Sequence, residues 1–319
     1  MNGTGTSENP YIIMNVDDLY SMSTTGGNDV YFSLGADIDF NDTDYAENFV
    51  PITLNCKKFD GNSHIIRNVN YSLTDTTASM FMVSETATEI AIENLKIENI
   101  RLAGTSVFLF GGSGSQCNVS LTHCTFILND LITLSTNTAS ATDKFCLMHG
   151  NNIKFIADYC TFAIKVSYYK MYATFSQDSI SHTQVSAEID FVSSLSTGNA
   201  YNAIYSAGSV SDSYFFMKIR NKSSITNIDL STSLTIWNRS YFVFQDIKTI
   251  SYIGWNGTIS SSCFYDKELL STVSPTSKVR SDSSSYGTVN LHALTTEQCK
   301  DAVYLRSIGF NCMGEDENG

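Results

Sequence analysis

Proline is nearly absent from this chain, with three in 319 residues. That excludes a Pro-rich linker dividing it into parts. Charge is scarce too, at 16% Asp, Glu, Lys and Arg, so most of the surface has to be neutral and polar. Basic charge is the scarcer sign. The net charge of −13 lacks the phosphate-neutralising field that nucleic-acid binding requires, and nucleic acid is not expected as a partner. No apolar run approaches the ~20 residues that span a bilayer, so no membrane partner is expected. Met1 runs into Asn2-Gly-Thr-Gly-Thr6 without a basic start or an apolar stretch, which predicts no secretion leader.

The eight cysteines form no C-x-x-C pair, and His64, His149, His182 and His292 show no metal-ligand spacing. No metal or other cofactor is expected. Several cysteines sit at alternating apolar positions, as in Cys124-Thr-Phe126 and Cys160-Thr-Phe162. They read as reduced thiols in a core, where Cys behaves as a small hydrophobe.

What the chain does have is aromatic residues, at 12%, and recurrence. Thr122-His-Cys-Thr-Phe-Ile-Leu128 nearly repeats as Asp158-Tyr-Cys-Thr-Phe-Ala-Ile164. The same rhythm continues in Val185-Ser-Ala-Glu-Ile-Asp-Phe191 and Ser213-Tyr-Phe-Phe-Met-Lys-Ile219. Leu95, Cys124, Cys160, Ala187 and Phe215 serve as anchors of this series. A second series interleaves with it, through Met80-Phe-Met82, Val107-Phe-Leu-Phe110, Phe145-Cys-Leu-Met148 and Tyr241-Phe-Val-Phe244. Each repeat therefore carries at least two short strands. Alternation with period 2 turns one face of each strand inward. One repeat cannot bury that face alone, but stacked repeats close a common core. The pattern predicts an all-β fold, a single-stranded right-handed parallel β-helix with short capping helices at both ends. An antiparallel sandwich also uses short alternating strands. It does not call for two interleaved series, and hairpin signals are few in the middle of the chain.

The ends read differently. Asn15-Val-Asp-Asp18 resembles a capping box opening a helix over 16–22, closed by Gly26-Gly27. Thr295-Thr-Glu-Gln298 opens a second helix running to about Ser307, with Gly309 beyond it. The expected division is an N-terminal cap over 1–50, a β-helix over 51–270 and a C-terminal cap with an acidic tail over 271–319. Gly111-Gly-Ser-Gly-Ser115 lacks the Lys-Ser/Thr ending of a phosphate loop and reads as a β-helix turn.

These end sequences also carry a resemblance. Gly3-Thr-Gly-Thr-Ser-Glu-Asn-Pro-Tyr-Ile-Ile13, Val16-Asp-Asp-Leu19, Leu34-Gly-Ala-Asp-Ile-Asp-Phe40 and Phe59-Asp-Gly-Asn-Ser-His-Ile-Ile66 resemble the opening of bacterial and phage β-helix proteins with GLUG-type repeats. Gly257-Thr-Ile-Ser-Ser-Ser-Cys-Phe-Tyr-Asp266 and Leu294-Thr-Thr-Glu-Gln-Cys-Lys-Asp301 are similar to their far end. Ser79-Met-Phe-Met82 stands where that family has G-L-F-G, so the glycines are lost and the apolar alternation is kept. The resemblance implies a β-helix and no single activity, since the family includes adhesins, virion proteins and uncharacterised surface proteins.

Two constellations bear on function. Parallel β-helices of the lyase and glycosidase type use paired carboxylates. Here only Glu188 and Asp190 share an outward line, both on one strand, and by the anchors above no Arg or Lys falls beside them. They read as solvated surface acids, the sole catalytic candidates. One residue before each anchor come His123, Tyr159, Ser186 and Tyr214. His123, Tyr159 and Tyr214 are thereby the carbohydrate-binding candidates, if stacked coils set their rings at strand spacing.

The function expected from all this is non-enzymatic: a structural or surface protein of a bacteriophage virion, as a capsid decoration protein, head fibre or tail component. It would be made in the host cytoplasm and displayed on the particle. Its partners would be other capsid or tail proteins, with glycans and a homotrimer as further options. The alternatives are an extracellular carbohydrate-active β-helix enzyme and a bacterial cell-surface adhesin.

Overall fold

The structure is a computed structural model. It describes residues 1–43, 45, 48–73, 77–133, 145–168, 173–175, 178–191, 203–205, 208–221, 235–245, 254–255, 258–261, 263–268, 279–280 and 291–309. The fold is all-β and built from parallel sheets with few helices. The one antiparallel contact among the described residues is an isolated bridge between Asn2 and Ile12. The chain divides into two compact units, Met1–Val166 and Ser167–Gly319.

In the first unit, one sheet runs in the order Tyr11–Ile13, Gly27–Leu34, Cys56–Asp60, Glu89–Glu93, Ser106–Thr122, Phe145–Asp158. The strand Thr77–Val83 also pairs with Ser106–Thr122, and Ile52–Leu54 pairs with Thr77–Val83. A second sheet passes through Ile38–Asp39, Ile65–Arg67, Lys96–Glu98, Thr125–Thr133 and the strand beginning at Thr161. Every step goes to a strand about one sequence repeat away, as the interleaved series require. Strands that pair in these ladders begin by residue 11, within the first 50 residues.

Inward residues line up rung on rung. Phe32 lies opposite Phe59, Phe59 opposite Ile92, Ile92 opposite Leu121, and Leu121 opposite Ala157. All five are buried. In the other sheet Ile66, Ile97 and Phe126 are in register. Phe126 then stacks on Phe162 at 5.0 Å with planes 10° apart. Burying each such side chain is worth about 1.5–3 kcal/mol. Phe81, from the Ser79–Met82 stretch, is fully buried and stacks on Phe110 at 5.1 Å, so this stretch feeds the core.

The glycine-rich stretch departs from its sequence reading. Gly111 and Gly112 do not form a turn; they lie inside the strand Ser106–Thr122, whose register with Phe145–Asp158 shifts between Ser113 and Cys117. The reason is steric. A Cβ on Gly112 would meet Ile153 Cδ1 at 2.6 Å and Val83 Cβ at 3.1 Å, so strands on both sides press against bare backbone.

The second unit repeats the scheme. One sheet takes Asp178–Ser181, Gly208–Ser211, Thr235–Asn238 and Thr258–Ser261. The other takes Gln184–Phe191, Tyr214–Asn221, Tyr241–Gln245, Cys263–Asp266 and Leu291–Leu294.

Both predicted helices are present and both are broken. At the N-terminal end α1 (Val16–Tyr20) is capped by Asn15, whose side chain accepts from the Asp18 backbone N–H, and α2 (Met22–Thr25) ends at Gly26. At the C-terminal end α3 (Thr296–Lys300) opens on a full capping box between Thr295 and Gln298. Asp301 then interrupts it and caps α4 (Ala302–Ser307), accepting from the N–H groups of Val303 and Tyr304. Among the described residues no helix is long and apolar enough to cross a membrane.

Candidate functional site

The recurring segment that contains Cys124 and Cys160 is a corner, where the chain leaves one sheet and enters the next. The residue before each cysteine has left-handed backbone: His123 at φ 54° and Tyr159 at φ 50°. Asn94 occupies the same place one rung earlier, at φ 51°. The cysteines hold the corner. Cys124 Sγ donates to the Thr122 carbonyl at 3.4 Å, and Cys160 Sγ to the Asp158 carbonyl at 3.3 Å. Each bridge spans the left-handed residue.

The second unit builds the same corner with hydroxyls. Thr183 Oγ1 donates to the Ser181 carbonyl and Ser213 Oγ to the Ser211 carbonyl, both at 2.7 Å. The left-handed residues there are His182, Asp212 and Arg239. The shared pattern is an apolar residue, a polar one, the left-handed one, then Cys, Ser or Thr, any residue, and an apolar one. It runs through Leu121-Thr-His-Cys-Thr-Phe126, Ile180-Ser-His-Thr-Gln-Val185, Val210-Ser-Asp-Ser-Tyr-Phe215 and Trp237-Asn-Arg-Ser-Tyr-Phe242. Matching cysteines alone hides it, because the requirement is a short side-chain donor.

This register moves the anchors. Phe215 pairs with Val185, not with Ala187, which pairs with Met217. The outward residues shift with them. Glu188 lies opposite Lys218, and Asp190 is in register with Arg220, so basic residues do hold the matching positions on the neighbouring rung. Opposite charges also meet between rungs of the first unit: Lys58 reaches Glu93 diagonally at 2.6 Å, and Arg101 meets Asp130 opposite it at 3.1 Å. Such pairs stabilise sheets modestly.

Of the three ring candidates, the structure brings two together. His123 and Tyr159 stack at 5.3 Å with planes 20° apart, and both are exposed, Tyr159 at 47%. Beside this column runs a polar one. Asp60, Glu93, Thr122 and Asp158 occupy successive rungs. Lys58 neutralises Glu93, and the Asn94 amide donates to Asp60 at 3.1 Å.

Tyr214 lies in the other unit and is half-buried, 5.3 Å from Tyr241. Together with Phe264 and Leu294 these rings pack against Leu305, Cys299, Tyr304 and Ile308 of the C-terminal segment carrying α3 and α4. The outward aromatic row of this unit is thus a seat for its helices. Desolvation pushes the Tyr214 and Tyr241 hydroxyls up.

The thiols of Cys56, Cys117, Cys160 and Cys263 are poor nucleophiles. Burial pushes Cys56 and Cys263 up to about 12 and Cys117 up to about 11. The hydrogen bond with Cys124, then burial, raises Cys160 well beyond the ordinary thiol range. Among the described residues no group of His, Cys, Asp and Glu is placed to hold a metal ion.

No protein-family model matches the chain, and no curated protein matches it either. Among solved structures, it is similar to a candidate immunoglobulin A1 protease from Bacteroides ovatus. The identity is 14%, over 99% of this chain and 93% of that one, with a TM-score of 0.38. That score is too low to carry fold or function from one chain to the other.

Proposed function

We propose that the two sets of ladders are the faces of a right-handed parallel β-helix with GLUG-type ends, and that its work is to present a rigid outer surface without turning over a substrate. The setting we propose is a bacteriophage particle, with the chain as a decoration protein, head fibre or tail component. The observation that supports this reading is the in-register stacking of outward positions. Glu89, Asn118 and Lys154 are successive partners, as are Glu93, Thr122 and Asp158. Stacking fixes them at about 4.8 Å per rung. A surface so held suits repeated contacts with a regular partner. Glu188 and Asp190 stand in register with Lys218 and Arg220, the arrangement of ordinary ladder pairs, which favours a structural role for them over catalysis.

Particles purified from the producing cells test the setting. The chain is expected to co-purify with capsid or tail proteins through a density gradient at a fixed stoichiometry. Its recovery only in the soluble fraction or in the bacterial envelope would overturn the virion reading. New reducing ends or unsaturated products from a panel of polysaccharides would overturn the non-enzymatic one.

A further inference from the structure

We propose that Cys124 and Cys160 form a cross-link site: two thiols on adjacent rungs that a peroxide oxidant joins into a disulfide, stapling the repeat that runs between them. This goes beyond the reading of a presenting surface and does not depend on the virion setting.

Placement carries the proposal. Thr161 donates its backbone N–H to the Cys124 carbonyl at 2.8 Å, so the two cysteines hold the same corner position one rung apart. Residues on both sides keep that register. His123 and Tyr159 lie 5.3 Å apart, and Phe126 and Phe162 5.0 Å. One rung is about 4.8 Å, inside the ~4.4–6.8 Å between Cα atoms that a disulfide bridges. The Cys160 sulfur also reaches back toward the Cys124 rung, where it lies 3.5 Å from the Leu121 carbonyl oxygen. A hydrogen bond joins the two thiols.

The corner itself does not call for two sulfurs. It needs one short donor per rung, and Thr183 and Ser213 supply that with hydroxyls. Elsewhere the ladders hold thiols apart. Cys263 sits one rung from Ser240, in the relation that Cys160 has to Cys124. Cys56 and Cys117 are on strands separated by Glu89–Glu93.

Cys124 is the attacking sulfur, because its hydrogen bond with Cys160 holds its thiol below the ordinary range. Its thiolate attacks hydrogen peroxide and the O–O bond breaks. The hydroxide released takes up the thiol's proton as water, leaving a sulfenic acid on Cys124. The Cys160 sulfur then attacks the Cys124 sulfur and the S–O bond breaks. That oxygen leaves as water, carrying the sulfenic hydrogen and the Cys160 proton. Two thiols are oxidised by the loss of two hydrogens, and one peroxide is reduced to two waters. Both cysteines are buried, and a small uncharged oxidant suits the brief local openings that a ladder allows.

The test treats the folded, reduced full chain with hydrogen peroxide at pH 7. Remaining thiols are then blocked in denaturant, and peptides are mapped without reduction. A linked Cys124–Cys160 peptide is expected. The urea midpoint should rise by about 1 M, because the bond closes a loop in the unfolded chain. Cys124→Ser and Cys160→Ser keep a short donor at the corner, as Ser213 does, so both should fold with reduced-state midpoints close to that of the wild type. Peroxide should leave the midpoint of each variant unraised. Absence of the linked peptide, its formation only when peroxide is added in denaturant, or an equal yield of a Cys56–Cys117 link would each overturn the proposal. So would a midpoint that falls on cross-linking, or one that rises as much in the serine variants. Co-purification with capsid or tail proteins is read separately, so a failure here leaves the virion reading standing, and the converse also holds.

Discussion

Arg239 grips the buried carboxylate of Asp212 with two parallel bonds, Nε to Oδ1 and an Nη to Oδ2, each at 2.6 Å. Both residues have left-handed backbone and sit at the same corner position on adjacent rungs. The pair clasps two repeats where the chain turns. Removing Arg239 leaves a carboxylate that is only 5% exposed without its cation. Breaking a buried pair costs about 3–5 kcal/mol. Arg239 itself is 43% exposed, so solvent screening brings the expectation for Arg239→Ala down to about 1–3 kcal/mol. Urea unfolding checks it, and a second change, Asp212→Asn, should recover part of the loss.

Asp39 gives the fold a pH dependence. Burial pushes its carboxyl up, but hydrogen bonds from Asn68, Arg67 and the Asn41 backbone N–H outweigh that and hold it below the ordinary carboxylate range. A carboxylate lowered on folding stabilises the native state above its unfolded value, about 3.9. That contribution is lost as pH falls through the folded value. The stability gap between the wild type and Asp39→Asn should therefore be steady from pH 7 to pH 5 and close at more acid pH. Urea midpoints across that range test it, and a gap that widens on acidification would contradict it.

Phe126 sits fully buried between Phe110, edge-on at 5.9 Å, and Phe162, stacked at 5.0 Å. Truncation to Ala removes both contacts from a core that cannot collapse across its rungs. The expected loss is about 3–5 kcal/mol, read by chemical denaturation. A loss below 1 kcal/mol would mean that the ring is not in the core.

The described cysteines should divide by reactivity. Cys56, Cys124 and Cys160 are buried with no disulfide, while Cys299 on α3 is half-buried. Native alkylation at pH 7 followed by peptide mapping should label Cys299 well before those three. Denaturation should abolish the difference. Early labelling of Cys124 or Cys160 would place them outside the core.

How much of this was legible beforehand follows from what each signal encodes. Alternation shows which face of a strand is inward, so the parallel stacked strands and the apolar columns could be read from Leu95, Cys124 and Cys160. Alternation does not say which of two inward residues lies opposite a given partner. Ser213 and Phe215 satisfy it equally, which is why the anchor slipped by two, from Ser213 to Phe215, and carried Tyr214 into the His123–Tyr159 row. His123 and Tyr159 kept their register because their segments repeat almost letter for letter. The left-handed corners were hidden, since Cys, Ser and Thr perform one task under three names. The capping residues Asn15 and Thr295 announced their helices, but the restart at Asp301 was missed because its carboxylate caps from inside an unbroken helical pattern.

The central claim, parallel in-register ladders, is tested most directly by paired cysteines on Ser106–Thr122 and Phe145–Asp158. Asn118 lies opposite Lys154, and Ser120 opposite Ile156. At one rung's spacing, about 4.8 Å, both pairs fall within the ~4.4–6.8 Å that a disulfide bridges. Under mild oxidation the double variants Asn118→Cys/Lys154→Cys and Ser120→Cys/Ile156→Cys should both cross-link. Ser120→Cys/Asn152→Cys should not. An antiparallel ladder through the first pair would set Ser120 against Asn152. Cross-linking of that pair in place of Ser120 with Ile156 would contradict the fold and everything built on it.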